Sequence, residues 1–276
     1  ECNRYDLTGF VPFVVDGLTV GWIRPDFVRV LARWEQVFSV SSSEVVLLTQ
    51  GESLPQRSAP LAAVLKELVE IGALSHLHGE QYVATAGGRD EGLVLIDRAA
   101  ASHFGIRAFG QHINGFVRAQ DGIRMWLGRR SEDRRHFPGR LDHLAAGGLP
   151  HDIGFQQNLI KECWEEAGIE PDLAATAIPV GAVTYVTETQ SGLKPDTLYC
   201  YDLELPPDFR PRCMDGEVQE FYLWPMAQVM DAIREPGLFK PNCSLVIIDF
   251  LIRHGYLRPD DVDYFQLVAG LHPRLP

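Results

Sequence analysis

Gly147-Gly148-Leu149-Pro150, followed by Lys161-Glu162-Cys163-Trp164-Glu165-Glu166-Ala167-Gly168-Ile169, is the stretch on which the reading of this chain turns. Glu162, Glu165 and Glu166 stand at i, i+3 and i+4, positions that share one face of a helix. Like charges at that spacing destabilise a helix by about 0.2–0.5 kcal/mol per pair, so something positive should sit among them. Leu159, Ile160, Cys163 and Ala167 form the apolar side. The pattern therefore predicts a helix over 156–167, anchored on one face, with its carboxylates facing a cleft. Gly168 ends it as a left-handed cap. Hard oxygen donors so placed suit Mg²⁺ or Mn²⁺, and magnesium shares its shell with substrate phosphates. The plainer alternative is an acidic, solvated helix face.

The residues just before the glycine pair favour the first reading. Arg129, Arg130, Arg134, Arg135 and Arg140 crowd into twelve residues of a chain whose net charge is -12. Guanidinium forks match phosphate oxygens in paired hydrogen bonds. Arg134 and Arg135 read as a solvated hairpin tip. Arg129 and Arg130 end an apolar strand, so at least one should point inward. Carboxylates for a metal beside arginines for phosphate are what a diphosphate hydrolase needs.

The segment resembles the Nudix box, written G-x5-E-x7-R-E-U-x-E-E-x-G-U with U aliphatic. Glu162, Glu165, Glu166, Gly168 and Ile169 fall on its second half, Lys161 stands where arginine is usual, and Cys163 takes an apolar position. The first half departs: Ile153 occupies the place of the first glutamate, with Asp152 one residue earlier and Gln157 four later. The likeness extends to Phe137-Pro138-Gly139, Leu141-Asp142-His143, Asp215 to Phe221, Phe239 to Cys243 and Asp249 to Tyr256. These resemble one branch, DUF4743-like, that carries an extra N-terminal domain and is labelled thiamin-pyrophosphokinase-related. No phosphate-cradling G-x-x-x-x-G-K-[ST] loop supports a kinase.

The resemblance implies an α/β fold: a Nudix α/β/α sandwich at 106–258, after a small α/β N-terminal domain at 1–105 and before a C-terminal surface tail at 259–276. It implies hydrolysis of thiamin diphosphate, or an oxidised or damaged analogue, to the monophosphate and phosphate. Glu162, Glu165 and Glu166 would hold Mg²⁺ or Mn²⁺, with Glu217 as a further ligand and Glu220 as a general base. Arg129, Arg130, Gly147 and Gly148 would bind substrate. Nucleoside diphosphate derivatives, prenyl diphosphates and a non-catalytic ligand-binding module stay open as alternatives. Trp126, Tyr185, Tyr199 and Trp224 could stack on a heterocycle but read more simply as core, and His112, His143 and His151 read as structural.

Outward from this segment, Phe10–Val15 and Leu18–Ile23 flank Asp16-Gly17, a hairpin signal. Helices are expected after Pro25, from Ala59 to Ile71, at Arg98–Phe104, and at about Ala227–Arg234 and Ser244–His254. Strands are expected at Leu93–Ile96, His112–Arg118, Arg124–Gly128, Leu141–Ala146, Ile178–Tyr185, Thr197–Leu203 and Val218–Leu223. With 276 residues, 46% of them hydrophobic, the chain can bury one large core or two smaller ones. Its acidity disfavours nucleic acid and anionic membranes as partners, which leaves a small-molecule diphosphate and, as an option, a homodimer. Cys2, Cys163, Cys200, Cys213 and Cys243 are odd in number and none is spaced as a zinc knuckle. They read as reduced thiols, and with no signal-peptide pattern the expected location is cytoplasmic.

Overall fold

The computed structural model describes residues 2–276. The chain opens with strands β1 (Val11–Val15) and β2 (Leu18–Ile23), joined as expected by Asp16-Gly17. Both turn residues have positive φ (50° and 78°), the backbone of a type I′ hairpin. Helix α1 (Pro25–Leu31), strands β3 (Phe38–Val40) and β4 (Val45–Leu47), and helix α2 (Leu54–Glu70) follow. The strands form a four-stranded sheet in the order β2-β1-β4-β3. Helix α2 starts earlier than Ala59 because Ser53 and Gln56 close a capping box, and Pro60 lies inside it. Strands β5 (Gln81–Ala84) and β6 (Val94–Asp97) pair antiparallel, and a 3-10 turn at Arg98–Ala100 runs into α3 (Ala101–Phe104). Phe13, Leu31, Leu61, Leu68, Ile96 and Phe104 lie in one buried cluster, the core of this first part.

The second sheet is built from β7 (Ala108–Ala119), β8 (Gly122–Arg130), β9 (Leu141–Asp142), β10 (Ala145–Gly148), β11 (Ile178–Thr189), β12 (Gly192–Glu204) and β13 (Val218–Pro225). Its order is β11-β12-β7-β8-β13, with β10 added on β7 and β9 on β8. The single strand expected at 141–146 is therefore two: the chain leaves β8 after Asp142 and joins β7 from Ala145, so His143 and Leu144 make the crossing. The hairpin β11–β12 runs longer than its apolar residues suggest. Pro195, which lacks a backbone donor, sits just before Asp196, the first residue of β12 that pairs with β7.

Helix α4 (Phe155–Ala167), then α5 (Pro171–Ala174), lies on one face of this sheet, where Leu159, Cys163 and Ala167 pack with Ile113, Leu144 and Tyr201. Helices α6 (Met226–Ala232) and α7 (Pro241–Arg253) cover the other face, where Cys243, Ile247 and Phe250 pack on Phe116, Met125 and Leu127. Helices on both faces of one sheet give the α/β/α sandwich that the sequence led us to expect. The tail at 259–276 is more than a surface appendage. It holds α8 (Tyr264–Gly270), Leu271 and Leu275 are buried, and Leu271 O accepts from Thr184 N–H at 2.9 Å. Among the described residues no helix is long and apolar enough to cross a membrane.

Candidate active site

Helix α4 is fixed at both ends. At its N-terminus the buried Gln111 donates to Phe155 O (3.0 Å), and Asn158 donates to Gln111 Oε1 (2.8 Å) and to Gly148 O (3.0 Å). These bonds hold the first turn against β7 and β10 and leave the amides few alternatives, since both are almost fully buried. At its C-terminus Gly168, with φ 63°, reverses the chain, and Ile169 N–H reaches Cys163 O at 3.1 Å. The loop before β13 is tied on here: Arg212 N–H donates to Ala167 O and Met214 N–H to Glu165 O.

The helix presents its acids to the glycine strand β10. Glu162 and Glu166 are both buried. The carboxyl of Glu162 fills the space beside Gly147, where a Cβ would lie 2.1–2.4 Å from its atoms. Glu166 Oε2 accepts from Ala146 N–H at 2.8 Å. Glu165 is half-buried, and Lys161 Nζ bridges it (2.9 Å) to Glu162 (3.2 Å). Lys161 is thus one positive charge among the three acids. Burial pushes the carboxyl of Glu162 above its usual range, against the pull of Lys161. Burial, with the charges of Asp142 and Glu162 added, pushes that of Glu166 well above it. Two desolvated, mutually repelling carboxylates are a site that gains from a cation.

Arg130 points inward, as expected of at least one of Arg129 and Arg130, but protein partners take up the fork that was expected to bind substrate. Its strand position turns it inward, where it pairs with Asp142 Oδ2 at 2.9 Å and donates to His136 O, so its fork is committed within the protein. Arg129 donates to Tyr222 Oη (2.9 Å) and to Gly139 O (3.0 Å), and lies 3.8 Å from Glu220. Glu220 is exposed and accepts from Tyr222 Oη. Glu217 pairs with Arg134 at 2.5 Å, and Arg135 contacts His76. The hairpin-tip arginines therefore have protein partners rather than only solvent. Of the aromatic candidates, Trp126 and Tyr185 are core and Trp224 packs against Tyr222. Tyr199 lies edge-on to Phe155, centroids 4.8 Å apart, beside the first turn of α4.

Other residues of this site come from the first part of the chain and carried no sequence signal. A Cβ on Gly148 would meet Tyr82 Oη at 2.1 Å and the Arg98 guanidinium carbon at 3.4 Å. Arg98 pairs with Glu80 at 2.7 Å, and its charge acts on Glu162. Arg89 donates to the carbonyls of Pro150, His151 and Ile153, and lies over the Phe155 ring at 5.4 Å. Gln81 O accepts from His151 N–H at 2.7 Å. Ile153, standing where the box has its first glutamate, packs with Val83, Phe109 and Leu149. That position has been given over to apolar contact with β5.

Comparison with known proteins agrees with this geometry. Residues 109–241 match the NUDIX domain model, and residues 1–108 match the model described as a domain of unknown function, DUF4743. Over 99% of the chain and 76% of the relative, it is 42% identical to "Nudix hydrolase 20, chloroplastic" of Arabidopsis thaliana. Over 98% and 75% it is 42% identical to that plant's "Nudix hydrolase 24, chloroplastic". Over 88% and 75% it is 33% identical to an uncharacterized protein of Saccharomyces cerevisiae. Both plant relatives are named chloroplastic, which runs against the expected cytoplasmic location. Free thiols require only reducing surroundings and do not distinguish one such compartment from another. The chain belongs to the Nudix hydrolases, and it is a pyrophosphohydrolase of that family with a DUF4743 region at its N-terminus.

Proposed function

We propose that the chain hydrolyses thiamin diphosphate, or an oxidised or damaged analogue, to the monophosphate and inorganic phosphate. The observation that carries the catalytic part is the buried pair Glu162 and Glu166, set with Glu165 against the side-chain-free edge of β10. An all-oxygen donor set, partly desolvated, fits Mg²⁺ or Mn²⁺. Bound there, the ion would neutralise charge developing on the phosphate oxygens and acidify the attacking water.

The chain's own residues do the rest. Glu220, hydrogen-bonded by Tyr222, accepts the water's proton, and Glu217 completes the acid set from the loop tied to α4. Arg129, at the mouth of β8, and Arg98, opposite Gly148, hold phosphate oxygens. Gly147 and Gly148 make room for the Glu162 carboxyl and the Tyr82 hydroxyl beside the diphosphate. Phe155 and Tyr199 offer ring faces to the heterocycle beside the Pro150–Ile153 loop. The thiamin part of the proposal rests on likeness to the thiamin-pyrophosphokinase-related branch.

A substrate panel with Mg²⁺ tests it: thiamin diphosphate, its oxidised forms, ADP-ribose, other nucleoside diphosphate derivatives and a prenyl diphosphate, followed by released phosphate or monophosphate. The expected result is the highest kcat/KM on a thiamin-type diphosphate and a loss of two or more decades in Glu166→Gln with ligand binding retained. Preference for a nucleotide or prenyl compound would refute the substrate. Unmeasurable turnover of the unaltered protein on the whole panel would favour a ligand-binding module.

A further inference from the structure

His112 on β7, Asp142 at the end of β9, His143 in the crossing to β10, and Cys243 in the first turn of α7 meet beneath the sheet. All are buried, between 0% and 5% exposed. One donor atom from each lies within 4.8 Å of all the others. The two imidazoles face each other through Nδ1 atoms 2.9 Å apart, and the Cys243 thiol donates to Asp142 Oδ1 at 2.7 Å. The carboxylate is divided between two tasks. Its Oδ1 faces the thiol and His143 Nδ1 (3.7 Å), while Oδ2 is held by Arg130 (2.9 Å) and Lys240 (3.0 Å). His143 Nε2 is buried with no hydrogen-bond partner among the described residues.

We propose that this cluster is a second metal site, separate from the carboxylates of α4, that takes a transition metal ion of the zinc class. Two imidazole nitrogens, a sulfur and one carboxylate oxygen form a borderline-soft donor set, right for Zn²⁺ and wrong for Mg²⁺. Zinc bonds of about 2.0–2.3 Å to N, O and S imply tetrahedral edges of about 3.3–3.8 Å. The direct N···N and S–H···O contacts are shorter than that, so the ion would replace them by opening each edge by under about an ångström. The balance is simple: Zn²⁺ enters, Cys243 becomes a thiolate, and its proton leaves to solvent. Both imidazoles stay neutral and bind through Nδ1, with their protons on Nε2. Arg130 and Lys240 remain on Oδ2 and orient the carboxylate from behind, as outer partners of metal ligands do. Thiolate and carboxylate together offset the dication, which those two cations would otherwise repel. Such an ion would pin α7 to β7 and β9 from the sheet's far side.

Cobalt reads the site without reference to turnover. The chelator-stripped full chain, titrated with Co²⁺, should take up one equivalent with tetrahedral d–d bands and a sulfur-to-cobalt charge-transfer band. Cys243→Ser should abolish the charge-transfer band, and His112→Gln should weaken Co²⁺ binding at least tenfold. Glu162→Gln with Glu165→Gln should leave the band intact. X-ray absorption on the zinc-loaded, unaltered protein covers the case of a variant that does not fold, and should find sulfur and nitrogen neighbours. The proposal fails if the folded protein gives no charge-transfer band. It also fails if the band survives in Cys243→Ser or vanishes with the α4 glutamines, or if the zinc shell holds no sulfur.

Discussion

Gly147 owes its identity to Glu162. A methyl group there would overlap the Glu162 carboxyl, and because that carboxyl is the far end of a flexible side chain it would swing away instead of breaking the fold. Gly147→Ala should therefore change Tm by no more than about 2–3 °C. Mn²⁺ affinity and kcat/KM should each fall about tenfold, close to 1.4 kcal/mol. Calorimetric Mn²⁺ titration beside a melting curve checks it, and unchanged Mn²⁺ affinity would remove Glu162 from the ligand set. Single residues were legible when chemistry and helical spacing coincided, as for Glu162, Glu165 and Glu166 on α4. They were illegible when their partners lie far away in the chain. The arginine cluster suggested phosphate, but Arg130 is claimed by Asp142, a residue that no local pattern marks as buried. His112 and His143 were read as structural one at a time, and their convergence with Cys243 could not be seen in any linear spacing.

At the scale of elements, α7 is bound to β12 by one carboxylate. Asp202 accepts both Arg253 Nη atoms (2.6 and 2.9 Å), contacts His254 Nε2 (2.9 Å) and accepts from Asn114 Nδ2 (3.0 Å). Burial alone would raise its pKa, but the Arg253 and His254 hydrogen bonds win and hold it below the ordinary range. A carboxyl lowered in the folded state stabilises above its unfolded value, near about 3.9, and that contribution is lost as pH falls through the folded value. Asp202→Asn should cost about 2–3 kcal/mol near neutral pH, discounted for the partial exposure of Arg253. The deficit should shrink steadily below about pH 4. Denaturant melts at several pH values measure this, and a deficit that stays constant down to pH 2 would contradict it. Elements read well from sequence where one face is apolar, as in α4 and α7. They read poorly where neighbours, not periodicity, set their limits. The first turn of α2 rests on a Ser53–Gln56 cap, and the β9–β10 break exists because two different strands pair with one short segment.

Across the whole molecule, the DUF4743 region and the sandwich share a seam. Val83 on β5 packs with Phe109 and Leu149 of the second part, and Arg89 fastens three carbonyls of the Pro150–Ile153 loop. The sequence indicated that an extra N-terminal region exists. It could not show that Ile153 packs against that region, because the contact makes sense only with β5 in place. Arg89→Ala should leave the secondary structure intact, speed amide hydrogen exchange across 150–154 at least tenfold, and raise KM several-fold with a smaller change in kcat. Exchange rates in that loop equal to those of the unaltered chain would show that Arg89 does not organise it.

The Arg89 clasp also bears on descent. A recombination event that swapped one half for its counterpart from a distant homologue would separate a guanidinium from the carbonyls shaped to receive it, and Val83 from Leu149. Chimeras joined near residue 108 should work only when both parents carry compatible clasps.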